Sequence, residues 1–307
     1  MAKSITKETH KPITQPSASL LDSLEHLTGK LDIKATNDYM FRAVLQTNEK
    51  ALKGLLSALL DIPIEKMIEV VILNPIQLGE AFDEKTIVLD LNILLNNGKK
   101  INLEMQIVNE GDWQERSLFY LCKNYADLKR GQAYKELLPV IHIGIVDFSP
   151  FSTNKQLYSE YYLRETKTNH KYSDKLCIRM LNLTQIENVT ETEQQSNLYQ
   201  WARLFKATTW EEIKMLADKD SSISEFTFTL HEMTEDEKIR QQCMARERYE
   251  HDKASCIAYG IRQGIEQGME KINKLNNLLI QANRLDDLKR SATDPAYQEK
   301  LLKEFEL

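Results

Sequence analysis

The segment Thr86–Val108 does most to limit what this chain can fold into. Two runs of alternating apolar residues flank Asn96-Asn97-Gly98, a strong hairpin signal. In the first run Ile87, Leu89, Leu91, Ile93 and Leu95 alternate with Val88, Asp90, Asn92 and Leu94. In the second, Ile101, Leu103, Met105 and Ile107 alternate with Asn102, Glu104, Gln106 and Val108. Successive side chains of a strand point to opposite sides. Each strand therefore has one continuous apolar face and one face with a polar middle. A two-residue loop at Asn97-Gly98 would set Asp90 opposite Met105, polar against apolar. A three-residue loop ending with Gly98 in the left-handed region pairs Leu91 with Leu103, Leu89 with Met105 and Asp90 with Glu104. The second register gathers the apolar residues on one face, so the hydrophobic pattern selects it.

That register has a chemical consequence. Directly opposed residues have Cβ atoms about 5 Å apart, and like charges there destabilise a sheet. Two carboxylates beside a carbonyl oxygen suit a hard divalent cation such as Mg²⁺. On a solvated face the same two acids would merely keep a sheet edge soluble. Hairpin geometry leaves both readings open.

The flanking pattern supplies an element order. Thr36 or Asn37 can cap a helix carrying Met40, Phe41, Val44 and Leu45, and Ala51–Leu60 has the same period. Met67–Leu73 reads as a strand and the hairpin adds two more. Asp112–Leu137 reads as a long helix interrupted or ended near Gly131, and Pro139–Phe148 as a further strand. Tyr158–Leu163 and Lys175–Leu183 could be strands, and the chain looks helical after Asn197. The expected organisation is a polar tail over 1–30, disordered in part, an α/β core over 31–195 and a helical region over 196–307.

Composition excludes several classes. Of the 307 residues 42% are hydrophobic and 28% charged, enough to build a core. The net charge of −6 rules out a globally basic nucleic-acid binder but not a local basic surface. No apolar run is long enough to span a bilayer, and Met1–Ser19 lacks the apolar stretch of a secretory signal. Cys122, Cys177, Cys243 and Cys256 form no CxxC pair, which suits reduced thiols and a cytoplasmic location.

Asp90…Glu104-Met105-Gln106 resembles the active-site signature of the PD-(D/E)xK nucleases, whose restriction-endonuclease-like core runs αβββαβ around a mixed sheet. Asn37-Asp38…Phe41, Arg116…Tyr120 and Gly131…Tyr134…Leu137 narrow the likeness to the Rpn family of recombination-promoting nucleases, often labelled transposases. It covers most of 34–268. The resemblance implies a Mg²⁺-dependent (or Mn²⁺-dependent) DNA endonuclease, a hydrolase of phosphodiester bonds tied to recombination or mobile elements. Asp90, Glu104 and the Met105 carbonyl would hold the metal, and Asp90, Glu104 and Gln106 would be catalytic. Gln106 departs from the wider superfamily, where Lys is usual; an amide can only hydrogen-bond. Lys85 or Lys123 would be replacement cations. The contrasting class is a DNA-binding or interaction module that keeps the fold without the chemistry.

Further candidates carry two readings each. Asp38 is either a helix-dipole acid or an acid near the site. Arg116 and Tyr120 share a helix face and either meet a phosphate or form a surface Arg over a half-buried Tyr. Lys123, Lys129, Arg130 and Lys135 make their stretch basic and open to DNA-backbone contact. His142, inside an apolar strand, reads as a hydrogen-bonded core residue. Gly260, Gly264 and Gly268 recur every four residues, each weakening a helix. They mark either a linker or a close contact, between domains or between the helical regions of a homo-oligomer.

Overall fold

The computed structural model describes residues 24–73, 91–126, 128 and 131–307. Helix α1 spans Asp38–Thr47 and α2 spans Glu49–Leu60. Asn37 caps the first, accepting the Met40 N–H, and Asn48 caps the second through Ala51 N–H. Strands β1 (Val70–Ile72), β2 (Leu91–Leu95) and β3 (Lys100–Gln106) follow, then α3 (Trp113–Tyr125) and β4 (Val140–Val146). Both uncertain segments are strands, β5 at Tyr158–Tyr162 and β6 at Leu176–Asn182. The sheet has six strands in the order β1-β2-β3-β4-β6-β5. Strands β3, β4 and β6 run parallel, and the outer pairings are antiparallel. This is the mixed-sheet α/β architecture that the element order implied.

The hairpin adopts the register selected by its apolar pattern. Leu91 pairs with Leu103, Asn92 with Asn102 and Ile93 with Ile101. Gly98 sits at φ +76°, and its N–H closes the turn onto Leu95 O at 2.9 Å. Leu91, Ile93, Ile101, Leu103, Met105, Ile143 and Ile145 then share one buried cluster with Phe41, Val44, Leu52 and Leu56 of α1 and α2.

One expectation changes. The stretch Asp112–Leu137 is not one helix: α3 ends at Tyr125, and a separate 3₁₀ turn covers Tyr134–Glu136. Its buried positions are Trp113, Ser117 and Leu121, and Tyr125, one turn further on, is only half-buried. From Leu24 the N-terminal stretch belongs to the fold. Leu24 is buried, Lys30 bridges Thr209, and Lys214 donates to Glu25 O and Leu27 O.

The helices past 195 share the core of the sheet. Beyond a single helical turn at Glu191–Gln194 come α4 (Asn197–Lys206), α5 (Trp210–Ala217) and α6 (Ser221–Glu235). They place Trp201, Phe205, Ile213 and Phe226 in the same apolar cluster as Leu103. The compact division falls between Glu247 and Arg248, inside the long helix α7 (Glu237–Gln281). The second unit has its own small core, in which Leu275 and Leu279 of α7 pack with Leu301. Leu288 of α8 (Leu285–Ser291) and Tyr297 of α9 (Pro295–Glu304) pack against that core. Among the described residues no helix is long and apolar enough to cross a membrane.

Candidate active site

The face of the sheet opposite α1 and α2 carries Asn102, Glu104 and Gln106 from β3 and His142 from β4, all buried. Strand alternation puts them there, and α3 covers them. The cover depends on Gly144, which pairs with Glu104 in the β3–β4 ladder. A Cβ on Gly144 would lie 1.9 Å from the Trp113 ring, so only glycine lets the indole settle on this face.

Glu104 is the centre of the site. Its side chain is 2% exposed, and Oε1 accepts from Arg116 Nε at 2.9 Å and Nη2 at 2.6 Å. Glu110 adds a weaker approach to Arg116, at 3.8 Å. Burial works against the guanidinium charge, yet the adjacent Glu104 carboxylate holds Arg116 above its ordinary pKa. Arg116 also lies over the Tyr120 ring, 5.5 Å from its centroid. The two α3 residues expected to act as a pair therefore do share a face, and that face meets Glu104.

His142 completes the cluster. Its ring stacks on Tyr120 with centroids 6.2 Å apart and leans on Trp113 at 5.8 Å. Nδ1 lies 3.0 Å from the Asn102 amide nitrogen, and Nε2 lies 3.9 Å from Glu104 Oε2. Burial first, then the Arg116 charge, push the imidazole pKa down to about 3, so it is neutral at ordinary pH. It is a core histidine with a hydrogen bond, as its place in an apolar strand implied.

Gln106 uses only half of its amide. Nε2 donates to Val108 O at 3.0 Å, whereas Oε1 is buried with no hydrogen-bond partner among the described residues. The side chain of Met105 enters the apolar core, so only its carbonyl remains as a donor to a ligand. Lys123 is exposed on α3, with its ammonium 5.9 Å from the Phe119 ring centroid. Asp38 sits at the start of α1, where Oδ2 accepts from Arg246 Nε at 2.7 Å and faces Arg42 at 3.8 Å. Its described ion pairs are thus with these two arginines. Asp90 and Lys85, together with Lys129 and Arg130, lie outside the described residues.

A model of the family described as PD-(D/E)XK nuclease family transposase matches residues 35–260. The chain belongs to that family. Most of the chain is matched, including both site strands and α3. No curated protein and no solved structure matches it. Membership implies nuclease activity linked to mobile elements with DNA as substrate, and nucleases of this kind generally use divalent metals.

The site's donor chemistry fits such an ion in part. The Glu104 carboxylate and the Met105 carbonyl are hard oxygen donors of the kind Mg²⁺ prefers. Arg116 is a cation paired with Glu104 in this structure. Among the described residues, no three His, Cys, Asp or Glu side chains gather as they would around a metal.

Sequence reasoning underrated Asn102. It was visible as a polar step in the β3 alternation, but its bond to His142 depends on the β3–β4 register, which spans about forty residues of chain.

Proposed function

We propose that the protein is a divalent-metal-dependent DNA endonuclease, using Mg²⁺ or Mn²⁺, that acts in recombination or mobile-element transfer in the cytoplasm, as its likeness to the Rpn nucleases implies. The observation that carries this reading is the buried Glu104 carboxylate on β3, facing an arginine that can turn to a phosphate. Asp90 is one residue before Leu91, which pairs with Leu103, the neighbour of Glu104. Asp90 is proposed as the second acid on that basis.

Asp90, Glu104 and the Met105 carbonyl would hold the ion, whose Lewis acidity lowers the pKa of bound water and offsets charge on the leaving oxygen. Gln106 presents Oε1 as an acceptor, so it orients a water by taking a hydrogen bond from it. It cannot neutralise developing negative charge as a lysine would. Arg116 does that by exchanging Glu104 for a phosphate oxygen. Tyr120 supports the guanidinium from below, and Lys123 and Lys85 contribute backbone phosphate contacts. The water oxygen bonds to phosphorus and gives up one proton as the P–O bond to one ester oxygen breaks, and the departing oxygen takes up one proton, so the net change is addition of one water. Asp38 serves in this scheme by holding Arg246 and the start of α1.

Nicking of supercoiled plasmid with Mg²⁺ tests the reading. Cleavage that EDTA, Asp90→Ala and Glu104→Gln each abolish is the expected result; cleavage that survives Glu104→Gln places the chemistry elsewhere. One observation favours the non-catalytic alternative, because Arg116 already satisfies Glu104 through two nitrogens. Plasmid binding without nicking by the wild type would establish that alternative.

We also infer a homo-oligomer formed through the helical region. Gly260, Gly264 and Gly268 have no atom within 4 Å of an added Cβ, and Ile261, Ile265 and Met269 beside them are exposed. A lower mass by light scattering for Gly264→Leu is the expected outcome.

A further inference from the structure

The buried polar face holds a histidine whose outer nitrogen has no hydrogen bond. His142 is 0% exposed, and Nε2 has no hydrogen-bond partner among the described residues although it approaches Glu104 Oε2 to 3.9 Å. Leaving a polar atom of this kind unmet in a protein interior is costly. Everything else about the ring is fixed. Trp113 and Tyr120 flank its faces, and the Asn102 amide is 3.0 Å from Nδ1.

We propose that His142 is a positioning residue for Glu104. The Asn102 NH₂ group donates to Nδ1 and so places the ring hydrogen on Nε2, where it is aimed at Glu104 Oε2. The choice of tautomer follows from what Nε2 faces. A lone pair there would oppose a carboxylate oxygen, whereas an N–H is attracted to it. Nδ1 must then accept, and Asn102 must offer its nitrogen, which is the orientation observed.

The 3.9 Å separation exceeds a hydrogen bond. A modest rotation of the carboxylate about its broad terminal torsion closes it. That rotation becomes free when Arg116 turns from Oε1 to a phosphate. A neutral donor has a specific advantage at this point. Arg116 orients Glu104 but cancels its charge, which weakens the carboxylate as a metal ligand. The His142 N–H orients the carboxylate and leaves the charge in place. Hydrogen-bonded partners of this type commonly tune ligating carboxylates.

The inference rests on the proposed nuclease chemistry for its consequence, but not for the contact itself. The test therefore has two arms. In the first, ¹⁵N-histidine-labelled, metal-free protein is examined by NMR, with His142 assigned by signals lost in His142→Gln or by ring contacts to Trp113. A neutral imidazole protonated at Nε2 is expected, and protonation at Nδ1 would overturn the proposal whether or not the protein cuts DNA. In the second arm, Mn²⁺ binding by calorimetry and plasmid-nicking kinetics are compared among the wild type, His142→Gln and His142→Asn. The Gln amide nitrogen reproduces the Nε2 position, whereas the Asn amide reaches only the Nδ1 position. His142→Asn should lower kcat and Mn²⁺ affinity about 10- to 100-fold with the KM for DNA unchanged. His142→Gln should restore most of both. Equal behaviour of the two variants, or a loss confined to KM, would overturn the positioning role. A wild type that does not nick plasmid defeats the nuclease reading, and the tautomer then decides the contact alone.

Discussion

The two faces of the central sheet are built from the same strands and obey opposite rules. Under α1 and α2 the face carries Leu91, Ile93, Ile101, Leu103, Met105, Ile143 and Ile145, with Arg179 of β6 beside Ile143 donating to Leu59 O at 2.7 Å. Under α3 the next residue along each strand is Asn102, Glu104, Gln106 or His142, equally buried. Burying apolar area stabilises a fold; burying carboxylate, amide and imidazole groups costs free energy unless each is matched. On this face the matching is incomplete: Asn102 Oδ1, Gln106 Oε1 and His142 Nε2 have no hydrogen-bond partner among the described residues. The apolar face holds the molecule together. On the proposed reading, the polar face is tolerated for what it would bind.

If that division is right, the two faces should fail differently. The largest effect belongs to the polar face and appears in rate. Glu104→Gln keeps the shape and an acceptor for Arg116 but removes the charge. Nicking should fall by about 10³-fold or more, on the scale of losing a central electrostatic contact. The melting temperature should move little, because the Gln amide oxygen still accepts from Arg116. Plasmid assays and calorimetry on one preparation check both halves. On the apolar face Leu103→Ala should do the reverse. It should lose about 2–5 kcal/mol of stability by denaturant titration, the usual range for a buried Leu→Ala cavity. Tested well below its melting point, the variant should retain nicking activity. A Leu103→Ala protein that is folded but inactive would show that the faces are mechanically coupled.

A third substitution works at the seam between face and cover. Gly144→Ala puts a methyl where the Trp113 ring now lies, and the nearest atom is rigid aromatic carbon. Overpacking of this kind costs about 1–3 kcal/mol. The indole must move away from His142 and Phe148, which it now touches. Tryptophan fluorescence should shift toward that of an exposed indole, and activity should fall with it. Retained fluorescence would mean that α3 shifts as a body to make room.

Residues close in sequence made much of this legible. Asn96-Asn97-Gly98 and the period-two alternation set the β2–β3 register, because one slip would turn every apolar side chain to the wrong face. Glu104, Gln106, Arg116 and Tyr120 were each visible as candidates. That Arg116 reaches Glu104 was not, since it depends on where α3 crosses β3. The end of α3 was hidden for a related reason: Tyr125 keeps the helical period one turn past Leu121, so the spacing carries no stop signal there. That the helices past 195 share the core of the sheet was not legible, because Trp201, Phe205 and Phe226 look like any helical apolar stripe. Only long-range packing tells whether such a stripe completes a neighbouring core or founds a new one.

The smallest effect separates the glycine that is needed for packing from the glycines that are not crowded within the chain. Gly144 and Gly264 differ by what an added Cβ would meet: an indole at 1.9 Å in one case, open space in the other. For an isolated chain Gly264→Ala should therefore stabilise α7, by about 0.5–1 kcal/mol from backbone entropy alone. Assembly reverses the sign. If a second copy packs along Gly260, Gly264 and Gly268, the added methyl separates the backbones and weakens the contact. The two regimes are reached by dilution, because association depends on protein concentration and helix propensity does not. Thermal melts of wild type and Gly264→Ala at low and high concentration should cross. The variant should be more stable when dilute and less stable when concentrated. Curves that stay parallel, with the variant always higher, would show that this face of α7 has no partner in a second copy.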